Sequence, residues 1–242
     1  MAVNGLHYQT STEVKPLNPP ATRELLMTWP NLLTLFRLCS APVFLALFIG
    51  TGKDGFLQNV MSAHAGLICC LVVMLLSELS DVLDGILARK LNQVSDFGKL
   101  LDPYADSTFR MSCYFSFASH AHGKWIPLWM VMILFYRDLL VTVIRTFGVE
   151  RREFVHARAS GKIKAVAQGT VVGVTLGIAV IMGENTVAYE ATSAGLVTSL
   201  AHTLMWLVTA VTVWSGVDYF LGNKHLFETA MTSSKSDGPT PE

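Results

Sequence analysis

Charge is scarce in this sequence. Only 15% of its 242 residues are Asp, Glu, Lys or Arg, against roughly 25% in an ordinary soluble domain. A water-facing surface of normal composition is therefore excluded for most of the chain. Neither sign dominates: 18 basic and 18 acidic residues cancel to a formal net charge of zero. Nothing in that balance points to nucleic acid as a partner. Cysteine is rare as well. Cys39, Cys69, Cys70 and Cys113 lie in apolar runs, without a second pair at zinc-type spacing. They read as buried small hydrophobes, not as a metal or disulfide framework. A basic stretch leading into an apolar core is also missing. Residues 1–20 are polar and contain proline, so the first apolar segment is expected to be retained as a span.

Apolar length is what the chain has in abundance. Hydrophobic residues make up 51% of it, and mean hydropathy is +0.43. A bilayer core about 30 Å thick takes roughly 20 residues of helix. Six segments approach that length: Leu32 to Gly50, Val60 to Leu87, Leu100 to Ser119, Trp125 to Ile144, Ile163 to Met182 and Leu196 to Phe220. The expected fold class is an all-α integral membrane protein with six transmembrane helices. Its membrane domain covers residues 23–222, with polar tails over 1–22 and 223–242. The third segment is the least apolar, because Asp102, Asp106 and Arg110 interrupt it. Gly169, Gly173 and Gly177 form two overlapping GxxxG steps in the fifth, a spacing that lets helices approach closely, here within one chain.

The basic residues are distributed unevenly. Thirteen of them fall in the two tails and in the loops after the second and fourth segments; only Lys53 and Lys124 fall on the opposite side. By the positive-inside rule, both termini are expected in the cytoplasm of a multi-pass protein of the cytoplasmic (inner) membrane.

Acid is concentrated in one stretch, SDVLDGILARKLNQVSDFGKLLDPYADS, Ser80 to Ser107. At the end of the second helix Asp81, Asp84, Gly85 and Ala88 fall at i, i+3, i+4 and i+7 and share a face. Arg89 can reach back over the gap left by Gly85. After a short turn, with Ser95 or Asp96 available as a cap, Gly98, Asp102, Ala105 and Asp106 repeat the pattern. Pro103 is expected near that helix's start, where a missing amide hydrogen costs least. A short turn makes the two helices antiparallel neighbours, so four carboxylates and several small residues converge at the cytoplasmic edge. Carboxylates that close repel one another, and charge in a span is expensive and usually functional. Oxygen donors without nearby His or Cys suit hard cations: Mg²⁺, Mn²⁺ or Ca²⁺. Four carboxylates suffice for two ions about 4 Å apart, the arrangement used in phosphoryl displacement. A carboxylate-lined ion path is the alternative; it would need acids deep in several spans, whereas here they cluster at one side, with Glu78 and Asp218 the main outliers.

The pattern Asp81-x2-Asp84-Gly85-x2-Ala88-Arg89-x8-Gly98-x3-Asp102-x3-Asp106 resembles the full signature of the CDP-alcohol phosphotransferases. PNLLTLFR from Pro30 to Arg37, YRD and IR in the fourth segment, GKIK from Gly161 to Lys164, and WSGVDYF in the sixth resemble its phosphatidylglycerophosphate synthase branch. The resemblance implies a six-helix membrane enzyme, usually a homodimer. Such an enzyme moves a phosphatidyl group from CDP-diacylglycerol to an alcohol and releases CMP. It implies two divalent ions, Mg²⁺ or Mn²⁺, on Asp81, Asp84, Asp102 and Asp106, with Asp106 also the general base. It implies a CDP site at Asp84, Gly85, Ala88, Arg89 and Gly98, bordered by Asn31 and Thr34. A phosphate-bearing acceptor calls for cations; Arg110, Arg137, Arg145, Lys162 and Lys164 are the candidates, and glycerol 3-phosphate the expected acceptor. Inositol phosphate, inositol, serine and phosphatidylglycerol are the alternatives. Arg151, Arg152 and Arg158 read as positive surface charge near anionic lipid, and His156 as an ordinary loop histidine. The chain departs from the branch twice. Ser107 stands where Lys usually follows the last motif aspartate, and Asp138 stands where Glu usually follows Arg137. Arg110, one turn on, is expected to supply the missing cation.

Overall fold

Each of the six apolar segments is a helix. The computed structural model describes residues 28–90, 96–119, 121, 125–150, 159–182 and 194–224. The helices are α1 (Trp29–Gly50), α2 (Ala63–Lys90), α3 (Asp96–Ala118), α4 (Leu128–Glu150), α5 (Ala159–Met182) and α6 (Ala194–Gly222). Pro30 opens α1 in its first turn, where the lost N–H has no helical partner to miss. The helix α3 begins before its apolar run does, so Pro103 lies two turns inside it. The sequence expectation had placed that proline near the start; here it removes one interior backbone bond.

Four helices are long and apolar enough to cross a bilayer: Trp29–Gly50, Ala63–Leu87, Ala159–Met182 and Thr198–Gly222. The chain is therefore a multi-pass membrane protein. Its outward faces are apolar: Leu75, Leu79 and Val82 of α2 and Trp206, Leu207 and Val213 of α6 are all exposed, as lipid contact demands. In the other two helices, α3 and α4, the described charges Asp102, Asp106, Arg110, Arg137 and Asp138 are buried or half-buried, while Arg145 is exposed. In α3, Ala105, Phe109, Arg110, Cys113, Tyr114 and Phe117 are buried, so Arg110 faces other helices and not lipid.

Two groups of helices make the bundle. In one, α1 packs along α2 and α3; in the other, α6 packs along α5 and α4. They meet where α2 and α3 touch α5, and where α3 touches α4. Aromatic rings fill the core at the end remote from the acidic stretch. Phe44 meets Phe109 edge-on at 5.8 Å, and Phe48 meets Trp125 edge-on at 5.4 Å. These geometries suit the ring quadrupoles. The buried Tyr114 hydroxyl donates to the Gln168 carbonyl at 3.0 Å, tying α3 to α5. Cys70 and Cys113 sit in this core as expected; Cys39 instead faces outward, and all four cysteines are free.

Close approaches are made by glycine. A methyl on Gly169 would lie 3.9 Å from Glu78 Oε1, and one on Gly173 would lie 3.7 Å from Met74 Cε. The first GxxxG step thus faces α2 of the same chain, while Gly177 meets open space. The tightest point among the described glycines is Gly66, whose added methyl would run into the Thr51 side chain. Gly66→Ala is expected to destabilise the bundle by about 1–3 kcal/mol through overpacking. A thermal melt of the purified variant matching the parent's would refute this.

Candidate active site

Asp81 and Asp84 lie on the last turns of α2 and Asp102 and Asp106 in the first half of α3, helical as their spacing predicts. The expected packing of these two helices along each other is not what the described residues show: each packs along α1, a neighbour shared by their acidic faces. The two aspartates of α2 differ in environment. Asp84 is buried, whereas the Asp81 side chain is about half exposed. Asp102 and Asp106 are half-buried. The expected cap at Ser95 lies outside the described residues.

From one side, α1 supplies the polar neighbours. The buried Thr34 hydroxyl donates to Asp102 Oδ1 at 2.6 Å; its own-helix carbonyl, Pro30 O, lies farther off at 3.1 Å. The charged, nearer acceptor is the stronger one. Asn31 is buried one turn earlier. Arg37, three residues after Thr34, is only 2% exposed. Its Nη1 lies 2.5 Å from Asp81 Oδ1, and its Nη2 pairs with Asp84 Oδ2. One guanidinium thus offsets the repulsion between two carboxylates of the same helix face. Among the described residues, the Nε of Arg37 has no hydrogen-bond partner. No role had been given to Arg37 from the sequence. The available signal was a charge inside a span, one turn beyond Thr34 and two beyond Asn31.

From the other side, α4, α5 and α6 enclose a cavity of about 350 Å³. Asp81, Asp102 and Asp106 form its acidic wall, and Arg110, Arg137, Arg145, Lys162 and Lys164 all line it. The five basic residues singled out from sequence are therefore brought together. They are not equivalent. Arg110, expected to stand in for a missing lysine, is buried and paired with Asp106 itself. Lys164 Nζ donates to Asp138 Oδ1 at 2.5 Å. Arg137 Nη1 lies 3.2 Å from the same oxygen, and its Nη2 donates to Ser215 Oγ at 2.6 Å. Arg145 and Lys162 are exposed and pair with no carboxylate among the described residues. Arg145 is held by Tyr219, whose hydroxyl accepts from Nε at 3.3 Å and whose ring centroid lies 6.0 Å from the guanidinium. Ser215 and Tyr219 were within a quoted stretch of α6 but had drawn no assignment.

The two departures from the resembled branch touch each other. Ser107 Oγ donates to Asp138 Oδ2 at 2.8 Å. At the mouth of α5, Ser160 Oγ donates to Asp218 at 2.6 Å, so this outlying acid ties α5 to α6. Glu78 is exposed beside Gly169. Neither acid extends the cluster into a path across the bundle, as an ion conduit would need. The side chains of Ala88, Arg89 and Gly98, and the loop residues Arg151, Arg152, His156 and Arg158, lie outside the described residues.

The donor set is carboxylate oxygen throughout, which suits a hard divalent cation. Arginine occupies part of it: Arg37 on Asp81 and Asp84, Arg110 on Asp106. Among the described residues, no three acidic, His or Cys groups already converge as a coordination shell.

Comparison with known proteins bears on this arrangement. The family model for CDP-alcohol phosphatidyltransferase matches residues 27–214. A CDP-diacylglycerol--glycerol-3-phosphate 3-phosphatidyltransferase of Bacillus subtilis is 28% identical over 205 residues, covering 83% of this chain and 97% of the relative. A probable phosphatidylglycerophosphate synthase of Mycobacterium tuberculosis is 33% identical over 154 residues, 63% of this chain and 68% of the relative. A cardiolipin synthase (CMP-forming) of Streptomyces coelicolor is 27% identical over 209 residues, 83% and 84% of the two chains. The match takes in both acidic helices, the arginine-bearing face of α1 and the basic wall opposite, and the chain belongs to the CDP-alcohol phosphatidyltransferase family.

Proposed function

We propose that the chain transfers a phosphatidyl group from CDP-diacylglycerol to sn-glycerol 3-phosphate, giving phosphatidylglycerophosphate and CMP. The observation that carries this reading is the cavity of about 350 Å³, which five basic residues and three of the four motif aspartates line together. An acceptor that brings both a hydroxyl and a phosphate has a partner on each wall. An acceptor without phosphate leaves the basic wall unused. The names of the Bacillus and Mycobacterium relatives point the same way.

In this reading Arg145 and Lys162, the exposed cations, take the acceptor's phosphate. Arg110, Arg137 and Lys164 stand behind them as the rest of the basic wall. The acceptor hydroxyl is then directed at Asp106. Its oxygen attacks the lipid-linked phosphorus, its proton passes to Asp106, and the bond to the bridging oxygen breaks with CMP leaving. Asp84, Gly85, Ala88, Arg89 and Gly98, with Asn31 and Thr34 of α1, form the nucleotide side. Asp81, Asp84, Asp102 and Asp106 would hold two divalent ions, Mg²⁺ or Mn²⁺, which when bound would offset the charge of the diphosphate. All six helices span the inner membrane as a homodimer, with both termini and the site on the cytoplasmic side. The asymmetry of the basic loops supports that orientation.

An acceptor panel tests the reading, using purified protein in detergent, labelled CDP-diacylglycerol and Mg²⁺ or Mn²⁺. Glycerol 3-phosphate is expected to give labelled phosphatidylglycerophosphate. Product with inositol phosphate alone would overturn the choice. A second reading, with phosphatidylglycerol as acceptor, is favoured by the Streptomyces relative; a diphosphatidyl product in the same panel would establish it.

A further inference from the structure

The basic wall of the cavity contains one acid. Asp138, on α4, has an 11% exposed side chain. One of its oxygens, Oδ1, receives Lys164 Nζ at 2.5 Å and lies 3.2 Å from Arg137 Nη1. The other, Oδ2, receives Ser107 Oγ at 2.8 Å. Both carboxylate oxygens are thus engaged, by donors from three helices, α3, α4 and α5. The groups behind it are buried too: Lys164 is 5% exposed and Ser215, which anchors Arg137, is 0% exposed.

Charge bookkeeping across the wall then separates the cations. Arg110 is cancelled by Asp106 and Lys164 by Asp138. Arg137 shares Asp138 and is turned toward Ser215. Arg145 and Lys162 face the cavity with no carboxylate partner among the described residues. We propose that Asp138 is the positioning residue that sets the charge of the acceptor cavity: it holds and neutralises Lys164, so that an acceptor's phosphate is drawn to Arg145 and Lys162 and its hydroxyl to Asp106. The inference rests on the phosphate-bearing acceptor proposed above. Ser107 contributes by being small and neutral. A cation at that position would compete with Lys164 for Asp138 and release a second positive charge into the cavity.

The consequence is a sign pattern. Asp138→Asn retains size and hydrogen-bonding capacity but frees the charge of Lys164. The free ammonium strengthens anion binding and pulls phosphate away from Arg145 and Lys162, so tighter binding comes with slower turnover. Lys164→Met leaves Asp138 uncancelled and weakens anion binding. The double variant removes both charges and restores the balance.

The measurement is the inhibition constant of inorganic phosphate, competing with whichever acceptor supports turnover in the purified full chain. Asp138→Asn is expected to lower that constant by roughly tenfold, the scale of one added unit charge at a partly buried site, and to lower acceptor KM and kcat together. Lys164→Met is expected to raise the constant, Asp138→Asn with Lys164→Met to return it to within about twofold of the parent, and Asp138→Glu to stay near it. Ser107→Lys, which leaves the Asp138 anchor in place, is expected to tighten phosphate in the same direction as Asp138→Asn. Weakened phosphate binding in both Asp138→Asn and Ser107→Lys would overturn the proposal and leave Asp138 a scaffold residue. Should Asp138→Asn fail to fold, Ser107→Lys and Lys164→Met still decide the sign. Absence of product from glycerol 3-phosphate in the parent, with the sign pattern intact against another acceptor, would fault the acceptor assignment and not this inference.

Discussion

Asp106→Asn is expected to lower CMP release by about 10²- to 10⁴-fold, the range that a positioned general base contributes. The substitution conserves shape and removes the ability to take a proton. Asp106 lines the same cavity as Arg145 and Lys162, where an acceptor hydroxyl would arrive. Its pairing with Arg110 sharpens the prediction. In the variant Arg110, buried and with an Nε that has no partner among the described residues, loses its counter-charge, so displacement of Arg110 contributes to the loss. Arg110→Ala separates the two effects. It leaves Asp106 in place and is expected to reduce turnover less than Asp106→Asn does. The assay is CMP release in detergent with excess divalent ion and acceptor, on protein shown by size exclusion to be monodisperse. Unchanged CMP release in Asp106→Asn would remove Asp106 from the base role and reopen the ion-conduit reading.

Local spacing made the acidic half of the site legible. Two Asp pairs at i, i+3 and i, i+4 on consecutive helices define a face without reference to any other element. What that spacing did not reveal is that α1 packs along both helices. The six helices were legible for a similar reason, since apolar length is a local property. Legibility ended at contacts between distant segments. Ser107 meets Asp138 across 31 positions, Arg37 meets Asp84 across 47, and Arg145 meets Tyr219 across 74. No periodicity encodes such pairs. The same limit explains Arg110. Its position one turn after Asp106 was visible, and an i, i+4 pair of opposite charges favours contact. Whether it served Asp106 or the cavity depended on the burial of α3 by its neighbours. Similarly, Asp102, Asp106 and Arg110 lowered the standing of the third segment as a span, yet Arg110 is buried and both aspartates are half-buried. A window average cannot tell a charge facing lipid from one facing another helix.

Arg37→Met is expected to be the most destabilising single change near the site, about 3–5 kcal/mol, because it removes one partner of a buried ion pair and strands the other. Arg37 and Asp84 have side chains 2% and 8% exposed, so water cannot replace the lost guanidinium. Asp81, half exposed, contributes little to this cost. Arg37→Lys is expected to recover only part, since a single ammonium cannot reach two carboxylates in the forked geometry of arginine. The loss also bears on the proposed ions. Arg37 holds carboxylate oxygens that belong to the proposed metal set, so it performs in their absence the charge compensation they would otherwise provide. Without Arg37, Asp81 and Asp84 depend on a divalent cation alone. Added Mn²⁺ is therefore expected to raise the melting temperature of Arg37→Met by more than it raises the parent's. A thermal-shift titration in detergent reads the difference without reference to turnover. Equal stabilisation of the two proteins would show that Arg37 and the divalent ion act on different carboxylates. A melting curve for Arg37→Met like the parent's, with no metal added, would show that Asp84 is compensated by another group.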